Sequence, residues 1–298
     1  MSGQAVASES PRKARGTRIQ FLQTLRRAST LARTQLGLAI VVAIVAIALL
    51  GPLFAPHSPT SFVAPPFAPP SGVAALGADY LGRDVLSRFL WGGRSVLALS
   101  LIATVFGLVA GLAVGLVAAY GRDWLDDVLM RGMDILLAFP QIVFVLLLVS
   151  TIGPKLWLIV LTVGASHAPR VARVTRGAAL DVVERDFVKS AEALGESQWR
   201  ILASEILPNI SSPLLVEFGL RLTYSIGLVA AVSFLGFGLQ PPAADWGLMI
   251  NENRIGLTIQ PWTVVLPVAA IGLLTIGTNL VTDGIARVAI GIGRSASA

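Results

Sequence analysis

Five stretches of this chain carry no charged residue over lengths that match the hydrocarbon core of a bilayer: Leu36–Phe54, Ser95–Tyr120, Ile135–Pro154, Leu222–Gln240 and Pro261–Thr282. At about 1.5 Å of rise per residue, about 20 residues of helix cross about 30 Å of hydrocarbon. An unpaired backbone group in lipid costs several kcal/mol, and a helix pairs all of its own. A sixth stretch, Leu156–Pro169, is shorter and follows a Gly153-Pro154-Lys155 turn. It reads as the return arm of a tight helical hairpin. Its far end passes beyond the membrane, with Arg170, Arg173 and Arg176 at headgroup level. The expected fold is an all-α membrane protein with six transmembrane helices.

The composition agrees, with 54% hydrophobic and only 13% charged residues, against about 25% charged in soluble domains. The absence of cysteine excludes disulfides and thiolate chemistry. His57 and His167 lie far apart and form no ligand pair, so no metal site is expected. The net charge of +6 comes from 20 arginines and 3 lysines. Such a charge can serve nucleic acid, but its placement explains it better. With the N-terminus inside, the N-tail, the loops after spans two and four, and the C-tail hold 17 of the 23 basic residues. The external segments hold 5, and Arg221 sits at the inner edge of span five. That bias predicts a multi-pass membrane protein with both termini in the cytoplasm, contact of the tail with anionic lipid, and no nucleic-acid partner. The basic tail is too long for a signal-peptide n-region, and Leu36–Phe54 has no convincing small-residue cleavage site, so it reads as an uncleaved anchor.

The expected organisation is a basic tail at 1–35, then the first helix and an external proline-rich segment at 36–94. A five-helix core at 95–288 contains a cytoplasmic loop at 170–209, and 289–298 form a second tail. The external segment opens with coil, because Pro65-Pro66 and Pro69-Pro70 remove backbone donors. A helical stretch then runs from Asp84 to Trp91.

The loop 170–209 is amphipathic and highly charged. Arg185–Leu194 has helical composition, with Phe187, Ala191 and Leu194 on one face. Gly195 can take the left-handed conformation that stops a helix. A second helix starts near Glu196 or Ser197 and runs to Leu207, where Pro208 breaks it. The result is a helix–glycine–helix elbow, which is either a solvated connector or a knob through which a partner tilts two spans.

This loop resembles the EAA loop of ABC importer permeases, E-A-A-x3-G-x9-I-x-L-P. Ala191, Gly195, Leu207 and Pro208 stand at matching positions. Lys189 stands in place of the glutamate, Ser190 of the first alanine and Glu205 of the isoleucine. Lys189 reverses the charge, which argues against a salt bridge to the ATPase from that position. LGADYLGRDVLSRFLWGGRS, Leu76 to Ser95, is similar to the L-G-T-D-x-x-G-R-D-x-x-S-R-x-x-x-G-x-R-S signature of the dipeptide/oligopeptide/nickel permeases, C-type subunit. It supplies Gly77, Asp79, Gly82, Arg83, Asp84, Ser87 and Arg88, with Ala78 replacing threonine. Met133–Pro140, Ser233–Ile250, Pro261-Trp262 and Asn279–Arg287 resemble further segments of that family. The resemblance implies a type I importer permease fold without catalytic residues of its own. It also implies a homologous second permease, two ABC ATPase subunits that hold ATP and Mg, and an external solute-binding protein. Phe187, Lys189, Ser190, Ala191, Leu194, Gly195, Leu207 and Pro208 would form the ATPase-coupling loop.

The chain itself has no G-x-x-x-x-G-K-[ST] phosphate cradle, so an ATP-driven role requires a partner. Pro140 near the start of span three is a kink, either a hinge or static packing. Glu217 and Arg221 form an i, i+4 pair that is either a polar element of a gate or, as favoured here, an interfacial ion pair. His167 reads as an interfacial polar tip, and Asp123, Asp126, Asp127 and Asp134 as a solvated helix face. Gly107, Gly111 and Gly115 recur every four residues and read as packing, within the chain or against the second permease. The leading function is import of short peptides. Alternatives are the same machine for nickel or another small solute and, far behind, an ion-coupled secondary transporter, for which only Glu217 offers a candidate intramembrane acid.

Overall fold

A computed structural model describes residues 25–296. Most of the expected basic tail, 1–24, and residues 297–298 lie outside the described residues. Eleven named helices suffice for the description: α1 (Ala32–Leu50), α2 (Val85–Tyr120), α3 (Asp123–Ala138), α4 (Gln141–Ile152), α5 (Leu156–Val183), α6 (Asp186–Ala193), α7 (Gln198–Ile201), α8 (Leu207–Asn209), α9 (Ser211–Phe234), α10 (Trp246–Asn253) and α11 (Trp262–Ala296). Among the described residues there is no β-strand, only the isolated bridges Phe62–Arg83 and Ala78–Asp84. The expected second tail continues α11 as far as Ala296.

Among the described residues four helices are long and apolar enough to cross a membrane: α1 with its 3₁₀ extension to Leu53, α2, α9 and α11. The pair α3–α4 makes a fifth if it is counted as one span, but it bends by 84°. The stretch Ile135–Pro154, expected as a single span, is therefore broken. Phe139 is extended, with φ −87° and ψ 132°, as the residue before a proline prefers to be. Pro140 then starts α4. The return arm α5 is longer than Leu156–Pro169 and passes through Pro169 to Val183. Its charged second half keeps it out of the apolar set.

Other boundaries move for local reasons. The short external helix and span two are one 36-residue helix, because Asp84 caps α2 by accepting from the Ser87 amide at 3.0 Å and nothing interrupts the helix afterwards. Span five begins at Ser211, not Leu222, so Glu217 and Arg221 lie inside α9.

The tightest packing is α2 against α5. A Cβ on Gly107, Gly111 or Gly115 would meet the carbonyl oxygen of Gly164, Ala168 or Ala172, each at 2.5 Å. The four-residue glycine repeat is therefore the seam of an intrachain helix pair, which allows backbone approach where lipid supplies no hydrophobic drive. One apolar core joins Ala103, Val145, Val149, Ile159, Val163 and Val229 from α2, α4, α5 and α9. A second gathers Ala179, Val182, Val188, Ile201, Ile206 and Ile210 beneath the elbow. A third places Trp246 and Met249 of α10 against Ile44, Val96 and Leu274.

Candidate functional site

Three constellations carry polar chemistry. The first is the elbow. Gly195 has φ +77°. Its amide donates to Glu192 O at 2.9 Å, and the Glu196 amide donates to Ala191 O at 3.1 Å. That pair of bonds is the Schellman ending of a helix, and the glycine bears the left-handed conformation without a Cβ penalty. Val188 is fully buried, with Phe187, Ala191 and Leu207 packed on the same core. Pro208 is half-buried, whereas Lys189, Ser190, Leu194 and Gly195 are exposed. Leu194 thus leaves the face it was expected to share with Phe187 and Ala191, because it is the C-cap where the chain turns away. It is 82% exposed, and Trp199 on the next helix is 77% exposed. The elbow is pinned from below, since Tyr120 at the end of α2 donates to Glu192 Oε1 at 2.6 Å.

Beyond Gly195 the second helix is not uniform. After α7 the chain widens into a π-helical turn, Leu202–Ile206, before α8. Pro208 sits inside α8 and not at a break, and the chain turns at Ile210.

The second constellation is the Gly77–Arg88 segment. Asp79 accepts from the Leu81 and Arg83 amides at 2.9 Å each and from Arg83 Nε at 2.7 Å. Glu252 of α10 accepts from Arg83 at 3.1 Å and Arg88 at 2.7 Å, and from the Tyr80 hydroxyl at 3.2 Å. Arg88 Nε also stands 3.4 Å from Asp79. Two guanidinium groups thus meet two carboxylates, all buried. Burial and the Glu252 charge push the Tyr80 hydroxyl above its ordinary pKa. Asp84 binds the Ser87 hydroxyl at 2.5 Å, and the His57 amide donates to Ser87 Oγ at 3.0 Å. Gly77 and Gly82 have φ +77° and +87°, and a Cβ on Gly82 would strike Ala64 O. All seven sequence-selected residues fall into one cluster. The sequence reading missed the partners that close it, Tyr80, Glu252 and Asn253, which lie some 170 residues apart and share no local pattern. It also missed Asp245, which caps α10 through the Leu248 amide at 2.9 Å and binds Ser95 of α2 and Ser233 of α9.

The third constellation lies between α4, α5 and α9. Arg221 Nε stands 2.8 Å from Glu217 Oε1, and the Arg221 guanidinium lies 5.2 Å from the Tyr224 ring centre. Arg221 is 6% and Glu217 5% exposed. The pair is buried within the protein, and Arg221 Nη1 has no hydrogen-bond partner among the described residues. His167 is likewise fully buried instead of an exposed tip. Its Nε2 is 3.0 Å from Ser225 Oγ, which is 2.8 Å from Thr104 Oγ1. Gln141, the first residue of α4, donates to Ser166 O at 3.1 Å and lies 3.4 Å from His167 Nδ1. Pro140 lines a cavity of about 230 Å³ at the α3–α4 break. The aspartates of α3 are not merely solvated, for Asp126 pairs with Arg176 and Asp134 with Arg173. No group of three possible metal ligands lies together among the described residues.

A helical bundle with several helices long and apolar enough to cross a membrane, an ordered elbow at one end and a buried charge lock is the architecture of a membrane transport component. The chain belongs to the family of binding-protein-dependent transport system inner membrane components, whose pattern matches residues 103–289. It is 38% identical over 216 residues to the glutathione transport system permease protein GsiD of Pectobacterium atrosepticum, covering 72% of each chain. It is 32% identical over 254 residues to the dipeptide transport system permease protein DppC of Alkalihalophilus pseudofirmus, covering 84% of this chain and 82% of that one. With the di/tripeptide transport system permease protein DppC of Pseudomonas aeruginosa the identity is 34%, over 84% of each. A solved chain of the MetNI methionine ABC transporter shares the fold, with TM-score 0.52 and 19% identity, over 66% of this chain and 96% of that one.

Proposed function

We propose that this chain is one permease subunit of an ATP-driven, binding-protein-dependent importer of di- and oligopeptides in the bacterial plasma membrane. The three relatives named above are peptide or glutathione permeases by name, which supports the substrate class. The placement of lysine and arginine supports both termini in the cytoplasm. Six crossings are reached when α3–α4 counts as one and α5 as another. A homologous second permease completes the pathway. Two ATPase subunits hold ATP and Mg, which this chain does not bind, and an external solute-binding protein delivers peptide to the Gly77–Arg88 side.

The observation that carries the mechanism is the elbow. Its inward residues, Phe187, Val188, Ala191 and Leu207, fix it to the bundle. Its outward residues, Lys189, Ser190, Leu194 and Trp199, set two large apolar side chains in a polar rim, and tryptophan is enriched at interface hot spots. A cap that grips Leu194 and Trp199 moves α5 and α9 together. ATP-driven closure of the ATPases then opens the pathway outward, and hydrolysis resets it. The test is to tag the chain in its native host, extract it in mild detergent and identify what accompanies it. The reading expects a second multi-span permease and an ATP-binding subunit. A stable homo-oligomer with no ATPase would overturn it.

A further inference from the structure

The cavity at the α3–α4 break is lined by a cation that has no counterion among the described residues. Its walls are the backbone turn Leu136–Gln141, Phe144, Ser166 and Arg170. Arg170 is exposed and has no ion pair or hydrogen bond, whereas its neighbours Arg173 and Arg176 on α5 are neutralised by Asp134 and Asp126. Arg170 acts electrostatically on both His167 and Arg221, so the three basic side chains stand close together. Glu217 is the single acid paired within that group, and Arg221 Nη1 remains buried and unpartnered. The local balance is therefore positive, and an exposed cation on the wall of a cavity is open to an anion. Pro140 starts α4, so the first amides of that helix have no carbonyl partner within it and add positive partial charge. Gln141 is held in place by Ser166 and His167.

We infer that this cavity is a transit site for the free α-carboxylate of the peptide substrate, with Arg170 as the recognising cation. The inference rests on the peptide reading above. It deepens that reading because an α-carboxylate is the anion that every di- or oligopeptide carries whatever its side chains. A planar guanidinium matches that anion with two parallel hydrogen bonds. A volume of about 230 Å³ admits a small dipeptide or the end of a longer peptide. The site therefore reads the end of the chain and leaves the sequence unread. Because Arg170 is exposed, solvent and salt screen the pair and keep the holding brief, as transit requires release as well as capture.

The experiment uses the intact importer complex in nanodiscs without the binding protein. Equilibrium dialysis compares radiolabelled dialanine with dialanine amide. In wild type the free acid should bind about tenfold more tightly than the amide, the order expected of one charge-assisted pair. Arg170→Gln should abolish that difference, and Arg170→Lys should restore part of it. Equal binding of acid and amide by wild type overturns the site. So does an Arg170→Gln effect that weakens both peptides alike, which would make Arg170 a packing residue. Nanodiscs of phosphatidylglycerol and of phosphatidylcholine separate the other source of anions. If phosphatidylglycerol alone suppresses the acid–amide difference and dialanine never displaces that lipid, the cavity is a headgroup site and the inference fails. Complexes that drive no ATP-dependent peptide uptake once the binding protein is added overturn the peptide reading itself, and this site with it.

Discussion

The lock on the Gly77–Arg88 side is built from charges that cannot be removed singly. Arg83 and Arg88 face Asp79 and Glu252 with nothing but protein around them. Removing one partner of a buried pair leaves an uncompensated charge and costs about 3–5 kcal/mol. Glu252→Gln is therefore expected to lower the thermal midpoint of the purified protein in detergent by several degrees, and Asp79→Asn should do the same. Two further substitutions separate strain from contact at this scale. Gly82→Ala places a side chain at φ +87° and against Ala64 O. Strain alone there is about 1–2 kcal/mol, so its midpoint should fall as well. Gly177→Ala has open space and no unusual φ inside α5, so its midpoint should hold or rise slightly, since alanine is the better helix former by about 1 kcal/mol. On the elbow, Leu194→Glu and Trp199→Ala should leave the midpoint unchanged, because both side chains project outward. The amount of ATPase recovered on a tagged subunit should nevertheless fall about tenfold or more, as for a hot-spot pair. Undiminished recovery would remove these two residues from the interface. The signature residues were legible because glycines, aspartates and arginines at fixed spacing in a polar segment do not arise from hydrophobic bias. Their partner Glu252 was not legible, since a single glutamate on a short helix carries no sign of what it faces.

Among the helices, hydropathy located the apolar runs well and their interruptions poorly. A run of uncharged residues looks the same whether or not the backbone bends inside it. Phe139-Pro140 turns one expected span into two helices at 84°. Pro169 and Pro267, by contrast, sit inside continuous helices. The difference lies in the residue before the proline. Phe139 is extended, whereas Ala168 keeps helical geometry under dense packing against Gly111. The glycine repeat of α2 was visible as a packing signal, but its partner could not be read from one helix alone. The seam with α5 supplies the prediction at this scale. Gly111→Leu drives a side chain into Ala168 O and Val171, so α2 and α5 cannot close. The expected result is loss of monodisperse protein on size exclusion. Gly132→Leu, with open space around it, should elute as wild type.

For the molecule as a whole, the charge lock, the helix seam and the elbow lie on one path. The lock holds α10 to the start of α2. The seam runs down α2 against α5. At the far end Tyr120 and the apolar cluster hold the elbow. A push on the elbow is therefore delivered to a connected body and not to one loose loop, which is what coupling over the thickness of a membrane demands. The most direct test is at Gly195. Proline fixes φ near −65° and cannot occupy φ +77°. Gly195→Pro should insert and assemble with its partners, hydrolyse ATP, and yet fail to carry peptide into proteoliposomes. The quantity to measure is the ratio of labelled dipeptide taken up to ATP hydrolysed, wild type against variant. A fall in that ratio of about tenfold or more, with ATP hydrolysis retained, is the result expected of a rigid elbow. An unchanged ratio would contradict it and reduce the elbow to a connector.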